Sequence, residues 1–312
     1  MSITSLDGGQ PSGAQPLDLQ PVPRPKVTTT TIQEKKQQGE RITCLTAYDY
    51  ANARLVDEAG IDLILVGDSL AQVVLGYEST LPVTLDEMLH HTRAVRRAVK
   101  SAMVIADMPY GTYQTDEKEG VQNAVRFVKE SGAEAVKLEG GAQRVDLVKR
   151  VLDAEVPVMA HIGLTPQSVN KMGGYRVQGK DFSGIERLVK DAVALDEAGV
   201  FAIVLEGVPR EVAAMITREV KAPTIGIGAG PECSGQVLVF HDILNLTFAE
   251  PAKFVRRYGD AKALITTAVL QFKADVVSGQ YPSDAESYHL PKDTKAELEA
   301  ILRRKEMKAY SR

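Results

Sequence analysis

Seven side chains have types and positions that could do chemistry together. Asp68 and Ser69 end "DLILVGDS", and Asp107 closes the strand-like part of "AMVIADMP". Lys137 and Glu139 lie in "AVKLEGG", His161 in "VPVMAHIG", and Glu206 in "FAIVLEGVP". A single aspartate after a strand is usually a turn former or a helix cap. Several acidic strand endings in one fold shift that balance. Like charges held close repel, so such an arrangement wants a cation. Oxygen donors with at most one histidine and no cysteine favour Mg²⁺, less often Mn²⁺ or Ca²⁺, over Zn²⁺. Asp68 and Asp107 are the natural direct ligands, with Glu139 acting directly or through water. Lys137 can balance an anionic substrate or a developing enolate. Glu206 is left as a general base. His161 either orients substrate or is a satisfied histidine near the core.

Lys137 and Glu139 are two apart, so on a strand they share a face. Spacing alone leaves them as a self-neutralising ion pair or as two parts of a site. What decides is the set of elements that carries them. Eight short apolar runs recur along the chain: 42–49, 62–69, 102–109, 135–141, 156–163, 201–209, 222–230 and a weaker "QVLVFHDIL" at 236–244. Near-continuous apolar strands suit a parallel sheet covered on both faces. Amphipathic stretches separate most of them. "TLDEMLHHTRAVRRAVK" opens with Thr84 and has Glu87 three residues on, a capping-box pattern. Gly132 and Gly199 stand where helices end. The alternation predicts an α/β fold, a closed (β/α)8 TIM barrel. In such a barrel the C-terminal strand ends form one mouth, so all seven residues would converge there.

Other features carry less. The alternate glycines of "IGIGAG" (225–230) either cradle a phosphate or let backbone approach a ligand. "GGYRVQGK" (173–180) is placed as a lid. Leu75 and Tyr77 either wall a cofactor or pack within their loop. Cys44 and Cys233 lie outside any CxxC pattern, so a disulfide framework or structural zinc is not expected and a reducing cytoplasm fits. The net charge of -4 gives no reason to expect nucleic acid. No apolar run has the length of a membrane helix, and the first 26 residues lack the pattern of a signal peptide. Those 26 residues, rich in Pro, Gly, Gln and Ser, are expected to be a disordered tail. Residues 27–290 are expected to be one barrel domain that the helices after Tyr258 close. Residues 291–312 form a charged helix, solvated or packed on a neighbouring subunit.

Six stretches also carry a resemblance: "LVGDSLAQVVLGYESTLPVT", "ADMPYGTY", "AVKLEGG", "HIGLTPQSVNKMGGYRVQGK", "VLEGVP" and "IGIGAG". Together they resemble the ketopantoate hydroxymethyltransferase (3-methyl-2-oxobutanoate hydroxymethyltransferase) family, from about Thr29 to Pro282. The resemblance implies a (β/α)8 barrel related to phosphoenolpyruvate- and pyruvate-utilising barrels, assembled as a homodecamer of two pentameric rings. It implies Mg²⁺, 5,10-methylenetetrahydrofolate as one-carbon donor, and 3-methyl-2-oxobutanoate as acceptor in pantothenate biosynthesis. By motif, Asp68 falls on a metal ligand, Ser69 on a substrate contact, and Asp107 on a residue touching both. Lys137 falls on a substrate-binding lysine, Glu139 on a metal-associated glutamate, and Glu206 on the proton acceptor. Gly207 and the extensions before Lys26 and beyond His289 depart from the compact pattern. A second reading is an Mg²⁺-dependent lyase or mutase on another 2-keto acid. Those enzymes place a reactive cysteine in a mobile loop, and neither Cys44 nor Cys233 has that position. A third is a non-catalytic oligomeric barrel that binds the keto acid.

Overall fold

Parallel strands buried on both faces must be apolar throughout, and eight such strands build this chain. A computed structural model describes residues 24–310. The strands are β1 (Ile42–Thr46), β2 (Leu63–Val66), β3 (Met103–Asp107), β4 (Ala135–Glu139), β5 (Val158–Gly163), β6 (Ala202–Glu206), β7 (Thr224–Ile227) and β8 (Gly235–Leu238). They pair in sequence order, all parallel, and β8 pairs with β1 to close the barrel.

Side-chain alternation divides the core into two layers. Cys44, Leu63, Leu65, Met103, Ile105, Ala135, Met159, Ala202, Val204, Ile225 and Val237 pack together as one buried cluster. The alternate residues, among them Ile64, Val104, Val136, Leu138, Ala160, Ile203 and Leu205, pack with helix residues such as Met88, Val95, Val148 and Leu195. The first set belongs to the barrel interior and the second to the sheet–helix layer. Following the interior parity upward along β3, β4, β5 and β6 leads to Asp107, Lys137 and Glu139, His161, and Glu206.

The helices start and stop where their caps dictate. The helix Leu85–Ala98 opens on Thr84 with a capping box closed by Glu87. Gly39, Gly132 and Gly199 end theirs in the left-handed conformation.

One expectation is corrected. The run 236–244 is strand only through Leu238; Phe240–Ile243 forms a helical turn, and Phe240 N donates to Thr46 Oγ1. Pairing of β8 with β1 closes the sheet on itself. Among the described residues, those up to Tyr258 form one unit and those from Gly259 on a second, which holds the helices Ala261–Ser278 and Lys292–Tyr310. The tail expected over residues 1–26 lies, up to residue 23, outside the described residues. Arg24 and Lys26 are anchored: Arg24 Nη1 donates to Gly60 O at 2.9 Å, and Lys26 Nζ pairs with Glu134 Oε2 at 2.6 Å.

Candidate active site

Strand register sets the first geometry. Asp107 is paired with Lys137, and Glu139 with His161, on neighbouring strands. Lys137 Nζ lies 2.7 Å from Asp107 Oδ1, 3.3 Å from His161 Nδ1 and 3.9 Å from Glu139 Oε1. Asp107 Oδ1 is buried without a well-aligned hydrogen bond, but at 2.7 Å the lysine forms a close ion pair with it. His161 Nδ1 is also 3.4 Å from Glu139 Oε1, and its Nε2 is 3.4 Å from Glu206 Oε2. Asp68 joins through its backbone, whose N–H donates to Asp107 Oδ2 at 3.2 Å. Lys137 and Glu139 are therefore not a closed pair. They belong to a chain of charges running from Asp68 to Glu206.

All but one of these residues are buried: Asp68, Asp107, Lys137, Glu139 and His161 are 2–5% exposed. The Glu206 side chain is 17% exposed. Burial, then the neighbouring Asp107 and Glu139, pushes the Asp68 carboxyl well above its usual range. Burial also raises Asp107, against the opposing pull of Lys137. Glu139 is held low: burial opposes this, but His161, Lys137 and the Gln167 N–H outweigh it. Burial would lower Lys137, yet Asp107, Glu139 and Asp68 raise it. His161 is raised to about 9, since Glu139 and Glu206 outweigh burial and the nearby lysine.

Ser69 lies beside the cluster, with its Oγ 2.8 Å from the hydroxyl of buried Tyr48. A Cβ at Gly67 would stand 2.9 Å from that Oγ, so glycine keeps the turn into Asp68 and Ser69 compact. Gly163 has φ +97°, and a Cβ there would meet Glu206 O at 2.3 Å. That close crossing lets Leu164 N donate to Glu206 O at 2.8 Å and seats the end of β6 against the end of β5.

Several contributors were missed from sequence. Gln167 Nε2 donates to Asp68 Oδ2 at 2.9 Å, and its backbone N donates to Glu139 Oε2 at 3.0 Å. The Tyr113 hydroxyl donates to Gln167 Oε1 at 2.7 Å and accepts from Glu139 N at 2.9 Å. Both residues fall inside quoted stretches, but they lie on turns, where no periodicity indicates which way a side chain faces. A cavity of about 820 Å³ adjoins Glu139, Tyr113, Gln167 and Arg144. Another, about 860 Å³, has Ile42, Leu45, Ile227 and Phe254 among its lining residues and no acidic residue, so it is not where the carboxylate chemistry sits. The "IGIGAG" glycines make room for the chain itself: a Cβ on Gly228 would strike Phe254, and one on Gly230 would strike Arg210. Tyr77 donates to Glu87 Oε1 at 3.1 Å, which ties its loop to the first turn of the helix Leu85–Ala98. Cys44 and Cys233 are free and buried.

The donor set fits a hard divalent cation. Asp68, Asp107 and Glu139 place three carboxylates against one lysine, and the first two are destabilised as anions. Among the described residues no three His, Cys, Asp or Glu side chains form a ready-made metal cage. Mg²⁺ commonly takes one or two carboxylates and completes its shell with water and substrate oxygens. Glu139 has Oε2 engaged by Gln167 N and Oε1 facing His161 and Lys137, so contact through water suits it better than direct ligation.

A closed parallel barrel with buried acids, a lysine and a histidine gathered at its strand ends has the architecture of a (β/α)8 enzyme. Residues 26–284 match the ketopantoate hydroxymethyltransferase family, and the chain belongs to it. The 3-methyl-2-oxobutanoate hydroxymethyltransferase of Koribacter versatilis is 70% identical over 282 residues, covering 90% of this chain and 96% of that one. Its counterpart in Geobacter metallireducens is 56% identical over 263 residues, covering 84% and 98%. Among solved structures, phosphonopyruvate hydrolase aligns with TM-score 0.54 at 15% identity, covering 91% and 98%. A 2,3-dimethylmalate lyase of the PEP mutase/isocitrate lyase superfamily aligns with TM-score 0.53 at 16% identity, covering 92% and 100%. The last two show likeness of fold alone. No helix among the described residues is long and apolar enough to cross a membrane.

Proposed function

We propose that this chain transfers a hydroxymethyl group from 5,10-methylenetetrahydrofolate to 3-methyl-2-oxobutanoate, forming 2-dehydropantoate. The observation that carries this reading is the linked charge chain Asp68–Asp107–Lys137–Glu139–His161–Glu206 in a member of this family.

Asp68 and Asp107 would hold Mg²⁺, with Glu139 reaching it through water. When bound, that ion polarises the keto acid's carbonyl as a Lewis acid. Lys137 stays protonated among three carboxylates and offers fixed positive charge to the substrate anion and to the enolate. Glu206, the most exposed of these carboxylates, removes the proton from C3, the branched carbon beside the ketone. His161, with Nε2 3.4 Å from Glu206 Oε2, steadies the position of that carboxylate. Ser69, held by Tyr48, contacts the keto acid. Water hydrolyses the N–CH2–N bridge of the folate, so both C–N bonds break, each folate nitrogen keeps one proton from the water, and formaldehyde is released. The enolate carbon C3 then forms the new C–C bond to it, and the former carbonyl oxygen of formaldehyde takes the proton held by Glu206. The hydroxyl oxygen of the product therefore comes from that water.

The same reading makes the protein a cytoplasmic homodecamer. Self-association is supported by the helix Ala261–Ser278, which within its own unit leaves Leu264, Val269 and Phe272 more than half exposed. A coupled assay for 2-dehydropantoate, run with and without chelation of divalent cations, tests the function. Product formation that chelation abolishes and Mg²⁺ restores is expected. Product that persists at full rate in chelator would sink the metal assignment, and no product under any condition would sink the reaction.

A further inference from the structure

We propose that Gln167 is the positioning residue that fixes the cation-holding carboxylates, an inference that rests on the metal reading above. Gln167 lies on the short turn Pro166–Ser168 after β5 and is 5% exposed. A primary amide has two N–H donors and two acceptor sites, and all four are used. Nε2 donates to Asp68 Oδ2 at 2.9 Å and to Met108 O at 3.0 Å. Oε1 accepts from the Tyr113 hydroxyl at 2.7 Å and from Gln114 Nε2 at 2.8 Å.

These partners also fix which way round the amide sits. Met108 O can only accept, and Gln114 Nε2 can only donate. A flipped amide would set oxygen against oxygen on one side and N–H against N–H on the other. The side chain is thus locked in one orientation, with its donors aimed at the end of β2 and the segment after β3.

The same residue grips a second acid from its backbone, since Gln167 N donates to Glu139 Oε2 at 3.0 Å. Asp68 N in turn donates to Asp107 Oδ2. One turn therefore ties together carboxylates from β2, β3 and β4. Without it, Asp68 Oδ2 would lose its side-chain donor and the carboxylate would be free to rotate about its side-chain bonds. Gln167 acts through the carboxylate, since both acceptor sites of its Oε1 are taken by Tyr113 and Gln114. A glutamate here would face two acceptors with a third. A methionine would fill the space and donate nothing.

The test measures cation binding directly on full-length protein stripped of metal. Mn²⁺ is titrated by electron paramagnetic resonance and Mg²⁺ by calorimetry, for wild type, Gln167→Met and Gln114→Leu. Removing a partner that orients a metal ligand typically weakens the metal about 10- to 100-fold, and that range is expected for Gln167→Met. A smaller loss is expected for Gln114→Leu, which frees one side of the amide only. Thermal unfolding of the metal-free variants should stay near wild type. A folded Gln167→Met protein whose cation affinity is within about twofold of wild type overturns the proposal, because outer partners that matter cost tenfold or more. If Gln167→Met does not fold, Gln114→Leu and Tyr113→Phe decide: weaker binding in folded protein supports the proposal, and unchanged binding in both overturns it. A wild type that binds neither cation counts against the metal reading itself.

Discussion

Lys137 Nζ lies 2.7 Å from Asp107 Oδ1, and at 3.9 Å from Glu139 Oε1 it is far less committed to the acid on its own strand. The pairing follows from register, which sets Asp107 beside Lys137 across β3 and β4. Lysine and aspartate are 4% and 2% exposed, so each depends on the other. Removing one partner of a buried pair strands the remaining charge and typically costs about 3–5 kcal/mol. Lys137→Met should lose stability of that order in urea melts without divalent cation. Added Mg²⁺ should recover part of it by replacing the missing positive charge. A variant as stable as wild type without metal would show that Asp68 and Asp107 are already protonated.

Glu206 is the test of the base. Its carboxylate faces His161 Nε2 at 3.4 Å and is partly exposed, unlike Asp68, Asp107 and Glu139. Glu206→Gln keeps shape and loses the proton acceptor. General-base removal typically lowers rate about 10²- to 10⁴-fold. Exchange of the C3 hydrogen of 3-methyl-2-oxobutanoate into deuterated water, followed by NMR, should fall by that factor, with KM little changed. Exchange at the wild-type rate would remove Glu206 from the mechanism.

Much of this was legible because barrel strands are buried on both faces. Their runs are apolar without interruption, so a charged residue such as Asp107 or Lys137 inside one stands out. Parity then predicts which strand residues share the interior. The limits are as physical. Gln167 and Tyr113 sit on turns, where side-chain direction depends on tertiary contacts and not on a repeat. "QVLVFHDIL" is apolar enough for a strand, but Thr46 captures Phe240 N and a helical turn forms instead. The division after Tyr258 has no Pro- or Ser-rich linker to mark it, and "ALITTAVLQF" has the composition of a helix that packs in a core.

Gly163 should tolerate no side chain. Its φ of +97° is unfavourable for other residues, and its missing Cβ is what admits Glu206 O. Gly163→Ala would bring backbone strain of about 1–3 kcal/mol and displace the β6 end that carries the base. Lower thermal stability together with a reduced kcat is expected. Thermal melts and steady-state kinetics on the purified variant check both, and an unchanged kcat would show that Glu206 does not depend on this crossing.

Asp57 gives a pH test away from the site. On the helix Tyr50–Glu58, it accepts from Ala102 N at 2.7 Å, Lys100 N at 2.8 Å and Ser101 N at 3.2 Å, with Arg24 at 3.4 Å. Burial pushes its pKa up, but the three N–H groups and Arg24 outweigh that and hold it below the usual carboxylate value. A group whose folded pKa is depressed stabilises the fold fully above its unfolded pKa, about 3.9 for aspartate. That contribution disappears as pH falls through the lower, folded value. Asp57→Asn loses the anion and turns an NH₂ toward three donors, so it should cost about 2–3 kcal/mol at neutral pH, the scale of charge-assisted hydrogen bonds left unmade. Urea melts of wild type and variant from neutral pH down to the acid limit of folding should show a constant gap that closes only below about pH 4. A gap that closes near neutrality would mean that Asp57 is not held as a low-pKa anion.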